Sequence, residues 1–494
     1  MIGRLSRLLT LVLLWFALLG ALATFARSAP RDAAAGRAAA SAEATSIPGS
    51  GYLDTGFADA YEFELSTPST ASRWLSRAES LGSSYVRLET IWSSIAPLKL
   101  VPGFRPADPG DPRYNWSGLD AAVRAALAHG QRVVLVLLNP PPWALGKHPP
   151  KSAPAGTWEP NPSALGAFAH AVAERYDGRF PDPQHPGQSL PLVTHFQAWN
   201  EPNLSAYLTP QWRRGRAGKF FPVSPYRYRR MLNAVYANVK SVQPHSFVLA
   251  GGTAPYGDPP GGGRMEPVVF MRKLLCLSGR RNTLERCPNP AHFDALDNHP
   301  YSPTPTYHAL NIDNVSVADI GRLRAVLDVA ERTGRALPAG RKPIWVTEIA
   351  WTSDPPLPGA ISEARQARYL SLGFYELWRE GVDHVFWLLI RDYPYETLAG
   401  SGLYFVGGAA KPSSRAFRFP FVAVRGRDEG LTLWGRAPQA GRVVIERGTA
   451  GGWRPVLLLS TTPGGIFYAQ RRLGSRLVLR AVSGGIASLA FPTG

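Results

Sequence analysis

Short apolar runs alternate with longer amphipathic stretches over residues 51–415. Short apolar runs between turn residues predict buried strands, whereas apolar positions repeated at helical spacing predict helices. The eight predicted strands are Gly56–Phe63, Ser84–Glu89, Arg132–Leu138, Val193–Asn200, Ser246–Gly251, Phe293–His299, Pro343–Glu348 and His384–Ile390. The helices predicted between them are Ser69–Gly82, Asn115–Gly130, Pro162–Tyr176, Pro225–Val242, Pro267–Leu277, Val315–Gly334 and Ser362–Gly381. This alternation predicts an α/β fold with a parallel sheet, and eight such units predict a (β/α)8 TIM barrel.

The chain is long for such a barrel, and the extra residues fall in loops that follow strand ends. These loops are Pro140–Asn161, Pro202–Pro225 and Thr253–Glu266. Because the loops after parallel strands all lie on one face of a barrel, long loops there predict a shaped cleft.

After Phe421 the pattern changes to short strand-like runs separated by Gly, Pro and Thr. The runs are Leu431–Trp434, Arg442–Arg447, Trp453–Ser460, Ile466–Gln470, Arg476–Ala481 and Ala487–Phe491. This spacing predicts a small C-terminal antiparallel β-sandwich. We therefore divide the chain into a linker at 30–50, the barrel at 51–420 and the sandwich at 421–494. A unit of about 70 residues buries little surface alone, so we expect it to pack on the barrel.

The N-terminal segment has the pattern of an export signal. Arg4 and Arg7 precede an apolar run, Leu8–Leu22, which ends in a small-residue sequence resembling a cleavage site. The run is shorter than the ~20 residues that a membrane-spanning helix needs. We interpret residues 1–29 as a secretory signal peptide, with an uncleaved N-terminal membrane anchor as the alternative. The predicted location is therefore extracellular, either secreted or held at the membrane by this segment.

The formal net charge is +18, which raises the question of a nucleic-acid partner. The 54 basic residues are spread along the whole chain without a dense basic block, and no nucleic-acid motif is present. We therefore predict no nucleic-acid partner and interpret the excess as a solvated basic surface. Weak attraction to acidic cell-surface polymers stays open.

The chain contains two cysteines, Cys276 and Cys287. In an exported protein, the natural interpretation is one disulfide that closes a short loop. A zinc site would need four ligands at close spacing, and no such cluster surrounds these cysteines. The prediction is a disulfide and no metal.

Two predicted strands end in glutamate. The apolar run Val193–Trp199 is followed by Asn200, Glu201 and Pro202, and Pro202 must end the strand because proline has no N–H for the ladder. The run that begins at Ile344 likewise ends at Glu348. Strand ends are where α/β folds place their chemistry, and two carboxyl groups suit acid/base and nucleophilic work on a glycosidic bond.

Trp-Asn-Glu-Pro-Asn at 199–203 and Trp-Val-Thr-Glu at 345–348 resemble the two signatures of glycoside hydrolase clan A, whose retaining enzymes carry glutamates on strands 4 and 7. The first motif most resembles the β-xylosidase-like family thirty-nine, with the cellulase-like family five as a neighbour. The resemblance implies a carbohydrate substrate and no cofactor or metal. It also implies that Glu201 is the acid/base, that Glu348 is the nucleophile, and that Asn200 binds the sugar 2-hydroxyl.

The resemblance also suggests roles for residues at other strand ends. Arg87 matches an arginine that orients the nucleophile, with a surface salt bridge as the alternative. His299 and Tyr301 would lie near the nucleophile, with a turn histidine and a packing tyrosine as the alternative. Trp387 resembles a tryptophan floor under the bound sugar, with core packing as the alternative.

Asn139 and Trp143 follow the third predicted strand and could line the same subsite, although packing is as good an explanation. His195 lies at the far end of its strand from Glu201, which favours a structural role. The third strand end lacks the histidine that many family-five enzymes carry, so the sugar, the linkage and endo or exo action stay open. Two alternatives to hydrolysis also stay open: a carbohydrate-binding or cell-surface protein without turnover, and a transglycosylase.

Overall fold

The computed structural model describes residues 47–394, 400–426, 430–474 and 476–493. The predicted signal peptide or anchor and most of the predicted linker lie outside these residues. Over the described part of the chain, no helix is long and apolar enough to cross a membrane. The last linker residues contact the barrel, because the indole N–H of Trp378 donates to the carbonyl of Ser50 at 2.6 Å.

An eight-stranded parallel sheet forms the barrel, in the order β6-β7-β8-β1-β2-β3-β4-β5. A parallel bridge between Leu249 and Ala295 joins β5 to β6 and completes the ring. The strands are β1 (Asp54–Ala58), β2 (Tyr85–Ile91), β3 (Arg132–Leu138), β4 (His195–Ala198), β5 (Phe247–Ala250), β6 (Leu296–Asp297), β7 (Ile344–Ile349) and β8 (His384–Trp387). The predicted TIM barrel is confirmed.

Eight main helices follow the barrel strands on the outside. They are α1 (Pro68–Ser80), α2 (Ser117–Ala128), α3 (Pro162–Arg175), α4 (Ser224–Val242), α5 (Pro267–Leu274), α6 (Ile320–Arg332), α7 (Glu363–Arg379) and α8 (Pro412–Arg418). The seven predicted helices are all present. Local chemistry fixes their starts: α3 begins with proline, and the side chain of Asn161 accepts from the backbone N–H groups of Ser163 and Ala164.

Shorter elements lie in the loops. They are the helical turns Ala60–Phe63, Trp92–Ile95, Pro142–Ala144, Arg216–Gly218 and Val317–Asp319, and the strand pairs Trp212–Arg214 with Phe220–Pro222, Leu277–Ser278 with Thr283–Leu284, Ala291–His292 with Ala336–Leu337, and Ser353–Asp354 with Ile361–Ser362.

The first predicted strand, Gly56–Phe63, was wrong in its second half. The strand ends at Ala58, and Ala60–Phe63 is a helical turn. Asp59 causes the change because its carboxylate accepts a hydrogen bond from the backbone N–H of Glu62 at 3.1 Å and so caps the turn.

Aromatic side chains fill the barrel interior near the amino ends of the strands. Trp345 stacks on His384 with ring centroids 3.7 Å apart, and Tyr85 contacts Trp345 at 5.7 Å. His195 lies against the same rings, 5.4 Å from Tyr85. Burial, with smaller contributions from His384 and Arg132, lowers the pKa of His195 to about 4. His195 is therefore a neutral packing residue, as its position on β4 predicted.

Two antiparallel sheets follow the barrel, in the orders β9-β10-β13 and β12-β11-β14-β15, with β16 paired to β14. The strands are β9 (Phe421–Arg425), β10 (Leu431–Arg436), β11 (Arg442–Thr449), β12 (Gly452–Ser460), β13 (Ile466–Arg471), β14 (Val478–Ser483), β15 (Ile486–Ala487) and β16 (Phe491–Pro492). This confirms the predicted C-terminal antiparallel unit, although the prediction missed β9.

An aromatic cluster and a buried arginine join the C-terminal sheets to the barrel. Trp434 of β10 lies 5.6 Å from Trp378 of α7 between ring centroids. Arg436 is buried and donates to the carbonyls of Leu53 and Gly82 and to the hydroxyl of Thr55. The small domain therefore shares its core with the barrel, as expected from its size.

The predicted disulfide is present. Cys276 and Cys287 are joined with an S–S distance of 2.03 Å, and their Cα atoms lie 5.6 Å apart. The bridge closes a loop between α5 and β6, at the end of the barrel opposite the strand carboxyl ends.

We predict that Arg436→Ala lowers the free energy of unfolding by roughly 2–4 kcal/mol, because three buried acceptors lose their donor. Guanidinium denaturation followed by tryptophan fluorescence measures the change. Arg442→Ala is the matched control, since Arg442 is exposed on β11. Equal effects of the two substitutions would show that Arg436 does not join the domains.

Candidate active site

The chain turns sharply at the end of β4 and directs Glu201 into the barrel mouth. Trp199 and Glu201 both have positive φ angles, 77° and 35°, which are strained for residues with a Cβ. The indole N–H of Trp199 donates to the carbonyl of Tyr207 at 3.0 Å and holds this turn. As a result the Glu201 side chain is fully buried.

Glu348 lies near the end of β7 and faces Glu201 across the mouth. Glu201, His299 and Glu348 each offer one ligand atom, and these atoms all lie within 4.8 Å of one another. The two carboxyl groups therefore approach more closely than the ~6.5–9.5 Å at which a water molecule fits between two carboxyl groups. The sequence expectation that the two glutamates converge agrees with this distance.

Arg87 on β2 forms a buried ion pair with Glu348. Its guanidinium donates to Glu348 Oε1 at 2.8 Å, to Gln197 Oε1 at 3.1 Å and to Asn200 Oδ1 at 2.6 Å. Arg87 is only 3% exposed, so the surface salt bridge considered from sequence is excluded. Burial opposes the charge on Arg87, but Glu348, Glu89 and Asp297 together outweigh it and raise the pKa of Arg87.

Tyr301 binds the other oxygen of Glu348. Its hydroxyl donates to Glu348 Oε2 at 3.0 Å. Burial, followed by the negative charges of Glu348 and Glu201, raises the pKa of Tyr301 well above its usual value. Tyr301 therefore remains a hydrogen-bond donor, and both oxygens of Glu348 have a donor suited to an ionised carboxylate.

His299 lies between the two glutamates. Its Nδ1 is 3.0 Å from Glu201 Oε1 and 3.6 Å from Glu348 Oε2. Its Nε2 is 3.1 Å from the hydroxyl of Thr347, which in turn donates to Asp297 at 2.5 Å. Burial opposes the imidazolium, but Glu348, Asp297 and Glu201 outweigh it and raise the pKa of His299 to about 10.

Sequence reasoning missed several polar residues of the site. Gln197, Asp297 and Thr347 are fully buried and connect the charged residues described above. Each is a polar residue inside a predicted apolar strand. Because buried polar groups need hydrogen-bond partners, this pattern could have indicated that the three residues belong to a polar site. Tyr207 lies in the loop after β4 and shows no comparable pattern.

A small cleft lies beside Trp199, two residues before Glu201. Among its lining residues are Glu89, Asn139, Trp199 and Tyr207. The backbone N–H of Glu89 donates to the carboxylate of Glu64 at 2.7 Å. Burial and the neighbouring Glu89 raise the pKa of Glu64 well above its usual value, so a second acidic pair borders the cleft.

Trp387 and Trp143, which were predicted to contact the sugar, both pack against other parts of the protein. Trp387 is 0% exposed, and its indole N–H donates to the carbonyl of Ser401 at 2.8 Å. Trp143 donates to the carbonyl of Pro97 and packs against Trp92. Both indoles are placed as packing residues here, and a sugar contact for either stays a prediction.

Glu201, His299 and Glu348 also form a group that could hold a metal ion. Arg87 and Tyr301 already bind both oxygens of Glu348, and His299 binds Glu201. A cation would have to displace these donors, so the donor set suits a metal poorly.

No known protein-family profile matches the sequence. No curated protein matches it either. Among solved structures, the chain is similar to a family 39 glycoside hydrolase from Bacteroides cellulosilyticus WH2, with 19% identity, 85% of this chain and 81% of that chain covered, and a TM-score of 0.50. It also resembles a glucosidase from Croceicoccus marinus, with 13% identity, 86% and 93% coverage, and a TM-score of 0.47. The first similarity shows that the two chains share the barrel fold.

We predict that His299→Gln destabilises the protein most at low pH. A folded-state pKa near 10 exceeds the ~6.5 of unfolded histidine, so the stabilisation is complete below ~6.5 and is lost as the pH rises towards 10. Urea denaturation across this range should show a deficit of roughly 2–4 kcal/mol at pH 6 that shrinks at higher pH. His245→Gln, at an exposed position, is the control and should show no such trend. A deficit independent of pH would contradict the protonated state of His299.

Proposed function

We propose that this protein is a retaining glycoside hydrolase that cleaves β-glycosidic bonds by double displacement. The observation that carries the proposal is the approach of Glu201 and Glu348 to within 4.8 Å across the barrel mouth. Retaining enzymes hold their two carboxyl groups ~5–5.5 Å apart so that both reach one anomeric carbon, whereas inverting enzymes leave room for a water molecule.

Glu348 is the nucleophile in this proposal. A nucleophilic carboxylate must stay ionised, and Arg87 and Tyr301 donate to its two oxygens at 2.8 and 3.0 Å. These donors also hold the carboxylate in a fixed orientation towards the sugar.

Glu201 is the general acid and then the general base. It shares a hydrogen bond with His299, and the negative charge of Glu348 helps to keep a proton on this pair. The raised pKa of His299 places this proton on the imidazole at rest, so it passes from Nδ1 to Glu201 for the first step. Once Glu348 has bonded to the sugar, it carries no charge and no longer raises the pKa of the Glu201–His299 pair. The proton is then transferred more readily to the leaving-group oxygen.

The steps balance without a cofactor. A Glu348 oxygen bonds to the anomeric carbon, the bond from that carbon to the leaving oxygen breaks, and Glu201 gives this oxygen its proton. Water then bonds to the anomeric carbon, Glu201 takes one of its protons, and the ester bond to Glu348 breaks. A sugar in place of water would give transglycosylation through the same intermediate.

Asn200 is proposed to bind the sugar 2-hydroxyl. Arg87 already occupies its carbonyl oxygen at 2.6 Å. The side-chain amide of Asn200 is thereby fixed so that its NH2 group points away from Arg87 and can donate to a substrate.

We also propose that the protein works outside the cytoplasm. The signal-like N-terminal sequence and the Cys276–Cys287 disulfide support this location, because disulfides persist mainly in oxidising compartments.

A panel of aryl β-glycosides and β-linked polysaccharides tests the function, with the product followed by NMR from the first turnovers. We expect the β-anomer to form first and to mutarotate later. First appearance of the α-anomer would show inversion and would contradict the assigned roles. Absence of turnover on every β-glycoside would favour the carbohydrate-binding alternative.

We predict that Glu348→Ala and Glu201→Ala each lower turnover by ~10³-fold or more on unactivated glycosides. Glu201→Ala should still form the glycosyl-enzyme from dinitrophenyl glycosides, since this leaving group departs without a proton. Added azide should give an α-glycosyl azide with Glu348→Ala and a β-glycosyl azide with Glu201→Ala. Glu79→Gln, at an exposed carboxylate of α1, should leave turnover unchanged. The opposite azide products would reverse the two roles.

A further inference from the structure

The loop after β4 carries an antiparallel hairpin made of Trp212–Arg214 and Phe220–Pro222. We call residues 212–222 the basic hairpin. Its strands are joined by a polar turn at 215–219, with the sequence Gly-Arg-Ala-Gly-Lys. This stretch lies in the predicted loop Pro202–Pro225, where no strands were expected.

Four cations and two phenyl rings of the basic hairpin face solvent. Phe220 is 40% exposed and Phe221 is 54% exposed. The exposed cations are Arg213, Arg214, Arg216 and Lys219. Within the described part of the chain, no carboxylate forms an ion pair with any of these four. A group of cations without carboxylate partners creates a positive field that attracts anionic partners, and adjacent exposed rings add apolar contact area.

Each face of the basic hairpin combines a guanidinium with a ring. Arg213 pairs directly with Phe221, and Arg214 pairs with Phe220, so each pair projects to one side of the ribbon. Each ring packs against a glycine. A Cβ atom added to Gly215 would lie 2.5 Å from the Phe221 ring, and one added to Gly261 would lie 2.7 Å from the Phe220 ring. Glycine at both positions lets the rings lie flat against the backbone.

The base of the basic hairpin is held next to Glu201. The buried side chain of Gln211 donates to the carbonyl of Pro202 at 2.9 Å and accepts from the hydroxyl of Ser224 at 2.8 Å. Pro202 directly follows Glu201, so one side chain anchors both ends of the hairpin to the residue after the candidate acid. The base of the hairpin therefore lies on the same face of the barrel as the candidate acid, because both follow the carboxyl end of β4.

We propose that the basic hairpin binds a carboxylate-bearing polysaccharide beside the Glu201 end of the cleft. The proposal rests on the glycosidase function above and adds that the substrate is negatively charged. Guanidinium groups bind carboxylates through charge-assisted hydrogen bonds, and phenyl rings suit the C–H face of a pyranose. A polysaccharide whose sugar rings carry carboxylates would contact both a guanidinium group and a phenyl ring on one face of the basic hairpin.

An anionic membrane is the other surface that basic and aromatic residues can bind. A membrane-binding hairpin would carry its apolar residues together at the tip. Here the tip is polar, and Phe220 and Phe221 lie on opposite faces of the strand that follows it. This arrangement favours a polysaccharide chain that runs alongside the ribbon.

Two soluble β-glucans that differ in charge test the proposal: carboxymethylcellulose and neutral hydroxyethylcellulose. The full chain with Glu348→Gln is used alongside the unaltered chain, so that binding is measured without cleavage. Affinity electrophoresis should show binding to carboxymethylcellulose that weakens with added NaCl and exceeds binding to hydroxyethylcellulose.

The test variant is Arg213→Ser, Arg214→Ser and Arg216→Ser combined. We expect it to bind carboxymethylcellulose about tenfold more weakly, from the loss of three exposed charge contacts. The matched control removes the same charge from the opposite end of the barrel, with Arg280→Ser and Arg281→Ser plus Arg286→Ser, all exposed. This control should bind as tightly as the unaltered chain.

Equal weakening by the two triple variants would mean that net charge alone attracts the polymer, and it would overturn the proposal. So would unchanged binding by the hairpin variant. Binding of anionic phospholipid vesicles that depends on the hairpin, with none to carboxymethylcellulose, would assign the surface to a membrane instead. These results concern binding alone, so they are independent of whether the glutamate variants lose turnover.

Discussion

The buried ion pair between Arg87 and Glu348 is the interaction on which the rest of the site depends. An isolated carboxylate in the barrel interior costs several kcal/mol to keep ionised and takes up a proton instead. Arg87 supplies a compensating positive charge to Glu348 at 2.8 Å, and its remaining nitrogens fix Gln197 and Asn200. One guanidinium therefore pairs with one carboxylate and fixes the orientation of the residues that lead to the other.

The charge on Glu348 also affects the protonation of His299. It contributes to the raised pKa of His299, whose other neighbours are Glu201 and, through Thr347, Asp297. The protonation of the Glu201–His299 pair therefore depends on whether Glu348 is ionised. In the proposed reaction, bond formation at one glutamate helps to release the proton held near the other, so the two carboxyl groups act as one coupled unit.

The sequence was most informative where a local rule decides the structure. The strands that lead to Glu201 and Glu348 could be placed because apolar runs and, after Glu201, a proline mark the strand ends, and barrel topology then brings those ends together. Arg87 was expected at the end of its strand, but it lies inside β2. The end of the first strand was missed because one side chain, Asp59, caps a helical turn there. Whether Trp387 presents a face to the cleft could not be predicted, because a distant loop brings the carbonyl of Ser401 that binds its indole.

Covalent trapping tests the central claim most directly. A 2-deoxy-2-fluoro β-glycoside with a dinitrophenyl leaving group slows hydrolysis of the glycosyl-enzyme, and peptide mass mapping then locates the sugar. The account predicts one sugar per chain, attached to the peptide that contains Glu348. A label on another carboxylate, such as Glu89, or turnover without any covalent label would contradict the account.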